Sequence, residues 1–151
     1  MARLPRYSLP SFGVYHITSR GVNRCPIVIE DGDCSFFVAL LRSLVRSESL
    51  ECHAYCVMPN HYHLIVEAPM MRISKALHRL NGNHARRFNR LHKRTGHLFQ
   101  DRFHAQVIRD DEHFGNACEY VWNNPVRSGL CVEAHEWPWS GRILRSRVNR
   151  R

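Results

Sequence analysis

Apolar and polar positions alternate from Val14 to Ser19 (VYHITS), the two-residue period of a half-buried strand. Arg20-Gly21 and Asp31-Gly32-Asp33 then mark loops. From Cys34, the segment CSFFVALLRSLVRSE changes period. Phe37, Leu40, Leu41, Leu44 and Val45 recur at spacings of three and four, which predicts an amphipathic helix. Leu50 to Met58 (LECHAYCVM) reads as a second strand and His61 to Ala68 (HYHLIVEA) as a third. Pro59-Asn60 between them is a tight connection, because proline fixes one backbone dihedral, so the two strands pair as a hairpin. Ile73 to about Thr95 is a long helix with Ala76, Leu77, Leu80, His84, Phe88 and Leu91 along one side. Ala105 to Arg109 (AQVIR) is a fourth strand. Asp110-Asp111-Glu112 opens a last helix, where acids suit the positive end of the helix dipole, and Pro125 is expected to end it. Strand, helix, two strands, helix, strand, helix predicts an α+β domain: a small antiparallel sheet with helices packed mainly on one face.

Composition narrows what such a domain does. A chain of 151 residues fits one compact domain, and there is no repeat or low-complexity tract. The expected division is a folded domain over 1–141 and a basic tail over 142–151. No apolar run approaches the roughly 18 residues that span a bilayer. The opening MARLPRYSLPSFG has no apolar core of a secretory signal, so a cytoplasmic protein is expected. The formal net charge is +9, from 22 basic and 13 acidic residues, which favours a polyanionic partner. Lys75 and Lys93 are the only lysines. Arginine grips phosphate through two parallel hydrogen bonds, although arginine-favouring codons explain the same bias. Between Arg72 and Arg109 stand ten basic residues and one acid, Asp101, and the tail from Arg142 holds five arginines and no acid. A charge run is usually a solvated face. On a long helix beside a basic tail, it also forms a track for a phosphate backbone. Arg86, Arg87, Arg90, Arg94, Arg142, Arg145 and Arg147 are the candidate contacts. The six cysteines contain no CxxC pair, and free thiols are expected without a secretory signal. Cys52 and Cys56 are expected on one side of their strand; a zinc role with nearby histidines is the alternative.

Two features carry chemistry. His61-Tyr62-His63 lies in a predicted strand, so the histidines share one face and Tyr62 points to the other. Their Cβ atoms then sit roughly 7 Å apart, close enough for two imidazoles to converge on one cation. In a chain with eleven histidines, a chance pair of half-exposed strand histidines is the plain alternative. Tyr120 sits in the last helix, within GNACEYVWNNP, and Asn124 lies one turn on, on the same face. A phenol has a pKa near 10, so its attack on a phosphate needs a cation or a similar charge to help. By pattern alone, a core or surface structural tyrosine is the stronger reading of Tyr120.

The motifs become specific in their order. YHITSRG (Tyr15 to Gly21), YCVMPNHYHLIVE (Tyr55 to Glu67), GHLFQDRF (Gly96 to Phe103), YVWNNPVRSGL (Tyr120 to Leu130) and WPWS (Trp137 to Ser140) follow one another along nearly the whole chain. Together they closely resemble the REP-associated tyrosine transposases, relatives of the IS200-like single-tyrosine transposases in the HUH nuclease superfamily (HUH for His–hydrophobic–His). The resemblance implies a ferredoxin-like HUH core. It implies that His61 and His63 bind Mg²⁺ or Mn²⁺, that Asn124 completes the metal site and that Tyr120 is the nucleophile. The implied activity is cleavage and rejoining of single-stranded DNA at REP-like hairpins through a 5′-phosphotyrosine, with the basic tail at the hairpin foot. A monomer is the expected state, and a dimer that shares active sites is the alternative.

The chain departs from the family pattern at several positions. Tyr62 replaces the usual aliphatic residue between the histidines, Glu119 a common basic residue, Trp122-Asn123 a common His-Leu, Val22 a common Asn and Asp101 a common Gly. Glu119 and Asp101 add negative charge near the expected DNA path. The competing function is a non-catalytic hairpin-binding module derived from such a transposase. A zinc hydrolase built on Cys52 or Cys56 with the histidines is a second competitor. The His-x-Glu and PCxxC pattern of the zinc deaminases is absent.

Overall fold

The computed structural model of the chain describes residues 9–142 and 144–145. The expected alternation holds. β1 (Phe12–Arg20), α1 (Asp31–Ser47), β2 (Glu51–Val57), β3 (His61–Pro69), α2 (Met70–Leu91), β4 (His104–Ile108) and α3 (Asp111–Arg127) follow in that order. Two short strands, β5 (Ser140–Gly141) and β6 (Leu144–Arg145), come after them and were not foreseen. The sheet is antiparallel, in the order β4-β1-β3-β2-β5, with β6 also paired to β2. Leu144–Arg145 pairs with Glu51–Cys52, so the chain stays on the sheet edge past residue 141. Among the described residues no helix is long and apolar enough to cross a membrane.

Each face of the sheet carries one period of the strands. Tyr15 and Ile17 of β1, Tyr55 and Val57 of β2, and Tyr62, Leu64 and Val66 of β3 form the main core with α1 and α2. Ala54, Cys56, Met58 and Ile65 point the other way and pack with Ala117 and Val121 of α3. Two of the three helices therefore cover one face, and the third lies on the face that bears His61 and His63.

Local chemistry sets the helix ends. The Asp33 carboxylate accepts the backbone N–H groups of Ile29 (2.9 Å) and Glu30 (3.1 Å), which caps α1. It also meets His92 at 2.8 Å and Arg87 at 3.3 Å while almost wholly buried. Burial alone would raise its pKa, but these hydrogen bonds and the His92 charge hold it below the usual carboxylate value. α2 begins earlier and ends earlier than its apolar pattern suggests. His92 caps it and Lys93 turns left-handed at φ 52°, so Leu91, expected in the apolar stripe, is exposed. The Asp110 side chain accepts from His113 N–H at 2.7 Å at the start of α3. Pro125 does not end α3, which runs on to Arg127. A proline removes one donor, and in the last turn the remaining bonds, such as Ser128 N–H to Asn124 O at 3.0 Å, carry the helix past it.

One expectation about the cysteines fails. The β2–β3 register shifts between Cys52 and Ala54, a bulge at His53. An extra residue in one strand turns every later side chain over. Cys52 accordingly joins the α1/α2 core, while Cys56 lies on the α3 side. Both thiols are fully buried and pushed up to about 12, chiefly by burial. The two thiols lie on opposite faces of the sheet and do not share a site; of the two, Cys56 is on the histidine face, paired with His63 across the hairpin.

The turn that presents His61 is braced by the segment that follows β1. Gly21 N–H donates to Asn60 O at 2.9 Å, and Ile27 N–H to Pro59 O at 2.8 Å. A Cβ on Gly21 would stand 2.1 Å from the Cys25 carbonyl oxygen. Gly21→Ala is therefore expected to lower unfolding free energy by about 1–3 kcal/mol, the usual cost of overpacking, in urea titrations. Gly32→Ala, where an added Cβ meets nothing within 4 Å on a helix, should leave stability level or slightly raised.

Candidate active site

β3 brings the two histidines to one face, as strand alternation requires. His61 pairs with Arg20 and His63 with Thr18 across the β1 ladder, and His63 with Cys56 across β2. The imidazole centroids are 4.9 Å apart. Tyr62 between them is wholly buried on the opposite face; its hydroxyl donates to Asn81 Oδ1 at 2.7 Å and its pKa is raised, chiefly by burial. It takes no part in the cleft.

α3 crosses this face and delivers Tyr120 and Asn124. Asn124 is buried, with Nδ2 3.0 Å from His63 Nε2, and Ser128 Oγ donates to its Oδ1 at 3.4 Å. The Tyr120 ring is 43% exposed, and its centroid is 5.7 Å from that of His63. The guanidinium carbon of Arg127 lies 3.8 Å from the Tyr120 ring centroid, a cation–π contact two turns along the same helix. An open cleft of about 780 Å³ holds His61, His63, Tyr120 and Asn124 on its walls.

The donor set fits a divalent cation. His61 Nδ1 lies 2.7 Å from Asn60 Oδ1. A carbonyl oxygen only accepts, so Nδ1 carries the proton and Nε2 keeps its lone pair. His63 Nε2 faces Asn124. Turning the Asn124 amide over places Oδ1 where Nδ2 now stands. Two neutral imidazoles and one amide oxygen form a mixed nitrogen–oxygen set that suits Mn²⁺ at least as well as Mg²⁺. Both rings are held neutral. His63 is lowered to about 3 by burial, then by His61, His16 and Arg127. His61 is lowered by burial and by Arg20.

The pattern along the chain missed several residues of the cleft. His16 on β1 has its Nε2 3.0 Å from His63 Nδ1, and its ring lies 5.9 Å from Tyr120. Burial, then His104 and His113, lower it to about 4. The signal was in VYHITS, where the alternation that buries Tyr15 and Ile17 turns His16 to the histidine face. Arg20, Arg24, Arg102 and Arg127 line the cleft with Gln100, Asp101 and His104. The candidate DNA arginines lie elsewhere. Arg87 is tied to Asp33, and Arg94 to Asn89 at 2.8 Å. Arg86 donates to Asn83, and Arg90 is exposed on α2. Arg142 pairs with Glu119 at 3.0 Å and lies over Trp122, so Glu119 is neutralised within the fold. Arg145 belongs to β6, and Arg147 lies outside the described residues. A separate donor group, Glu51, His53 and Glu67, sits farther along the β2–β3 hairpin. There His53 Nε2 is 2.7 Å from a Glu67 carboxylate oxygen, within hydrogen-bond distance.

The IS200-like transposase family model matches residues 12–124. The chain is 26% identical over 141 residues to a Haemophilus influenzae protein described as a REP-associated tyrosine transposase, covering 82% of this chain and 80% of that one. It is 25% identical over 101 residues to the REP-associated tyrosine transposase of Escherichia coli K12, covering 63% of this chain and 56% of that one. Among solved structures, a REP-associated tyrosine transposase bound to a REP hairpin superposes with a TM-score of 0.67 at 20% identity, covering 93% of this chain and 82% of that one. A Deinococcus radiodurans protein described as a transposase superposes with a TM-score of 0.51 at 20% identity, covering 82% and 97%. These two likenesses establish the α+β fold.

The neutral histidines make stability depend on pH. His16 and His63 have folded pKa values below the unfolded value of 6.5. The unfolded chain therefore binds protons first as pH falls, and their contribution is complete above pH 6.5 and shrinks below it. Urea titrations at pH 7, 6 and 5 should record a loss of roughly 2 kcal/mol for each of these histidines. His63→Ala should flatten the slope, and an unchanged slope would contradict the burial of a neutral ring.

Proposed function

The chain belongs to the IS200-like transposase family, and we propose that it cleaves and rejoins single-stranded DNA with Tyr120 as nucleophile. One observation carries the reading. An exposed tyrosine stands beside two neutral histidines and a buried asparagine amide, in a cleft ringed by arginines. A pure binding module has no use for neutral imidazoles gathered under a tyrosine; phosphate binding alone is served by the arginines. The hairpin bound in the structural relative points to the same class of DNA here, a single strand flanking a base-paired stem.

Arg20, Arg24, Arg102 and Arg127 receive the phosphates of the strand and orient the scissile one. His61, His63 and Asn124 would hold Mg²⁺ or Mn²⁺, which when bound would supply Lewis-acid polarisation of the phosphoryl oxygen. The Tyr120 hydroxyl attacks phosphorus in line. The P–Oη bond forms as the P–O3′ bond breaks; the phenol proton passes to solvent, and the departing 3′ oxygen takes one up. The product is a 5′-phosphotyrosine and a free 3′-hydroxyl. The ester energy is conserved in that link, so attack by a 3′-hydroxyl reseals or transfers the strand. Arg127, stacked on the ring, keeps a positive charge beside the phenol oxygen when it departs. A monomer is the proposed working unit. Arg86 and Arg90, with the basic segment from Arg142 that includes Arg145 and Arg147, are the outer contacts for the stem. Arg87 and Arg94 act inside the fold, where they brace α2.

The test incubates the protein with end-labelled hairpin DNA carrying single-stranded flanks and Mn²⁺, followed by a denaturing gel. Wild type should give a covalent adduct that Tyr120→Phe lacks. His63→Ala should abolish cleavage and leave most hairpin affinity in place. Absence of any adduct across hairpins and both cations would replace the enzyme with a hairpin-binding module.

A further inference from the structure

We propose that His16 is a positioning residue that fixes the tautomer of His63 and thereby makes the cleft able to bind a cation; this rests on the cation reading above. His16 lies on the cleft face of β1. Its register partner on β3 is Ile65, two residues beyond His63, so the two histidines meet on the diagonal between adjacent strands. The His16 ring is packed between its neighbours, with centroids 5.2 Å from His63 and 5.9 Å from Tyr120.

With the Asn124 amide nitrogen turned inward, the hydrogen bonds around His63 agree on one arrangement. Asn124 Nδ2 is 3.0 Å from His63 Nε2, and an amide nitrogen only donates. His63 Nε2 therefore accepts, and in a neutral ring the proton is on Nδ1. That proton is donated to His16 Nε2, 3.0 Å away. His61 is arranged in the same way, with its Nδ1–H donated to Asn60 Oδ1 at 2.7 Å. Each ring thus has a dedicated acceptor behind it and presents Nε2 in front. Metal-binding histidines generally need such a partner at the second nitrogen, and its loss typically costs 10–100-fold in metal affinity. Without His16, the His63 proton is free to move to Nε2, where it blocks the donor atom.

His16 is not a third ligand in this arrangement. The two nitrogens of an imidazole point away from each other, and His16 is bonded to the rear one. It acts through His63.

The test separates positioning from packing. His16→Phe keeps an aromatic ring in the space and removes the acceptor; His16→Gln restores an acceptor without the ring. Thermal melting checks that both fold. Two readouts follow: the ¹⁵N shifts of the His63 imidazole without cation, and Mn²⁺ binding by electron paramagnetic resonance. His63→Ala serves as the control that subtracts Mn²⁺ held elsewhere. The wild type should show the Nδ1–H pattern. His16→Phe should shift His63 toward Nε2–H and weaken Mn²⁺ binding about 10–100-fold at an unchanged melting temperature. His16→Gln should recover most of both. Wild-type Mn²⁺ affinity in His16→Phe would overturn the proposal, as would weakened binding with an unchanged His63 tautomer. If the wild type itself binds no Mn²⁺, the cation reading fails. The ¹⁵N pattern then decides alone: a tautomer kept in His16→Phe overturns the role, and one lost supports it.

Discussion

The register of β3 between β1 and β2 is the constraint on which the rest of the structure depends. Through it, neighbouring residues serve opposite purposes: Tyr62 fills the core against Phe37 and Phe99, while His61 and His63 line the cleft. A slip of one residue would bury two imidazoles under α1 and α2 and put an apolar row where the histidines stand. Register is pinned on both edges, by nine consecutive partners on β1 and by the hairpin with β2. The main core contributes most of the folding free energy from one face, through Phe37, Leu41, Leu64, Leu80 and Phe88. The other face is thereby released from that task and carries polar groups at modest apolar burial.

That division explains what could be read from the chain itself. Strand alternation is local, so the shared face of His61 and His63 and the exile of Tyr62 follow from three residues. Tyr120 and Asn124 share a face by helical spacing, again a local rule. The meeting of α3 with β3 is a tertiary fact; only the ordered set of motifs pointed to it. His16 was visible as a strand residue and silent as a site residue, because nothing local links β1 to β3. The arginines of the cleft were silent for the same reason. The dense run on α2 drew attention by proximity in sequence. The cleft instead collects Arg20, Arg24, Arg102 and Arg127 from four separate segments. The bulge at His53, which separates Cys52 from Cys56, has no composition signal that distinguishes it from regular strand.

The charge of the molecule divides along similar lines. Basic residues beside acids brace the fold: Arg87 and His92 on Asp33, Lys75 and Arg79 on Glu48, Arg142 on Glu119. Exposed pairs of this kind add little stability, whereas Asp33 caps α1 and is almost fully buried. Around the cleft, Asp101 is the sole acid that faces four arginines among the lining residues. His61 and His63 there are held neutral. The cleft therefore repels cations through its arginines and attracts phosphate. On the proposed function, a cation and a phosphate strand would favour each other's entry, since each would offset the charge that opposes the other.

Asn124 is the residue that reconciles these demands. It is buried and touches His63, so a group there must satisfy the imidazole lone pair when no cation is present. Leucine would leave Nε2 buried without a partner. A carboxylate would set its own lone pairs against that of the imidazole unless it took up a proton. An amide carries a donor at one corner and an acceptor at the other, and a half-turn about its last bond exchanges them. With the donor inward, His63 is capped and its Nδ1 proton is directed to His16. With the oxygen inward, the same side chain faces the same point as a ligand. Ser128 Oγ, 3.4 Å from the outer corner, is a hydroxyl and so able to donate or accept in either orientation. On the proposed function, the site would meet its hydrogen-bonding requirements with and without a cation through rotation of one side chain, and the backbone of β3 and α3 that holds it need not move.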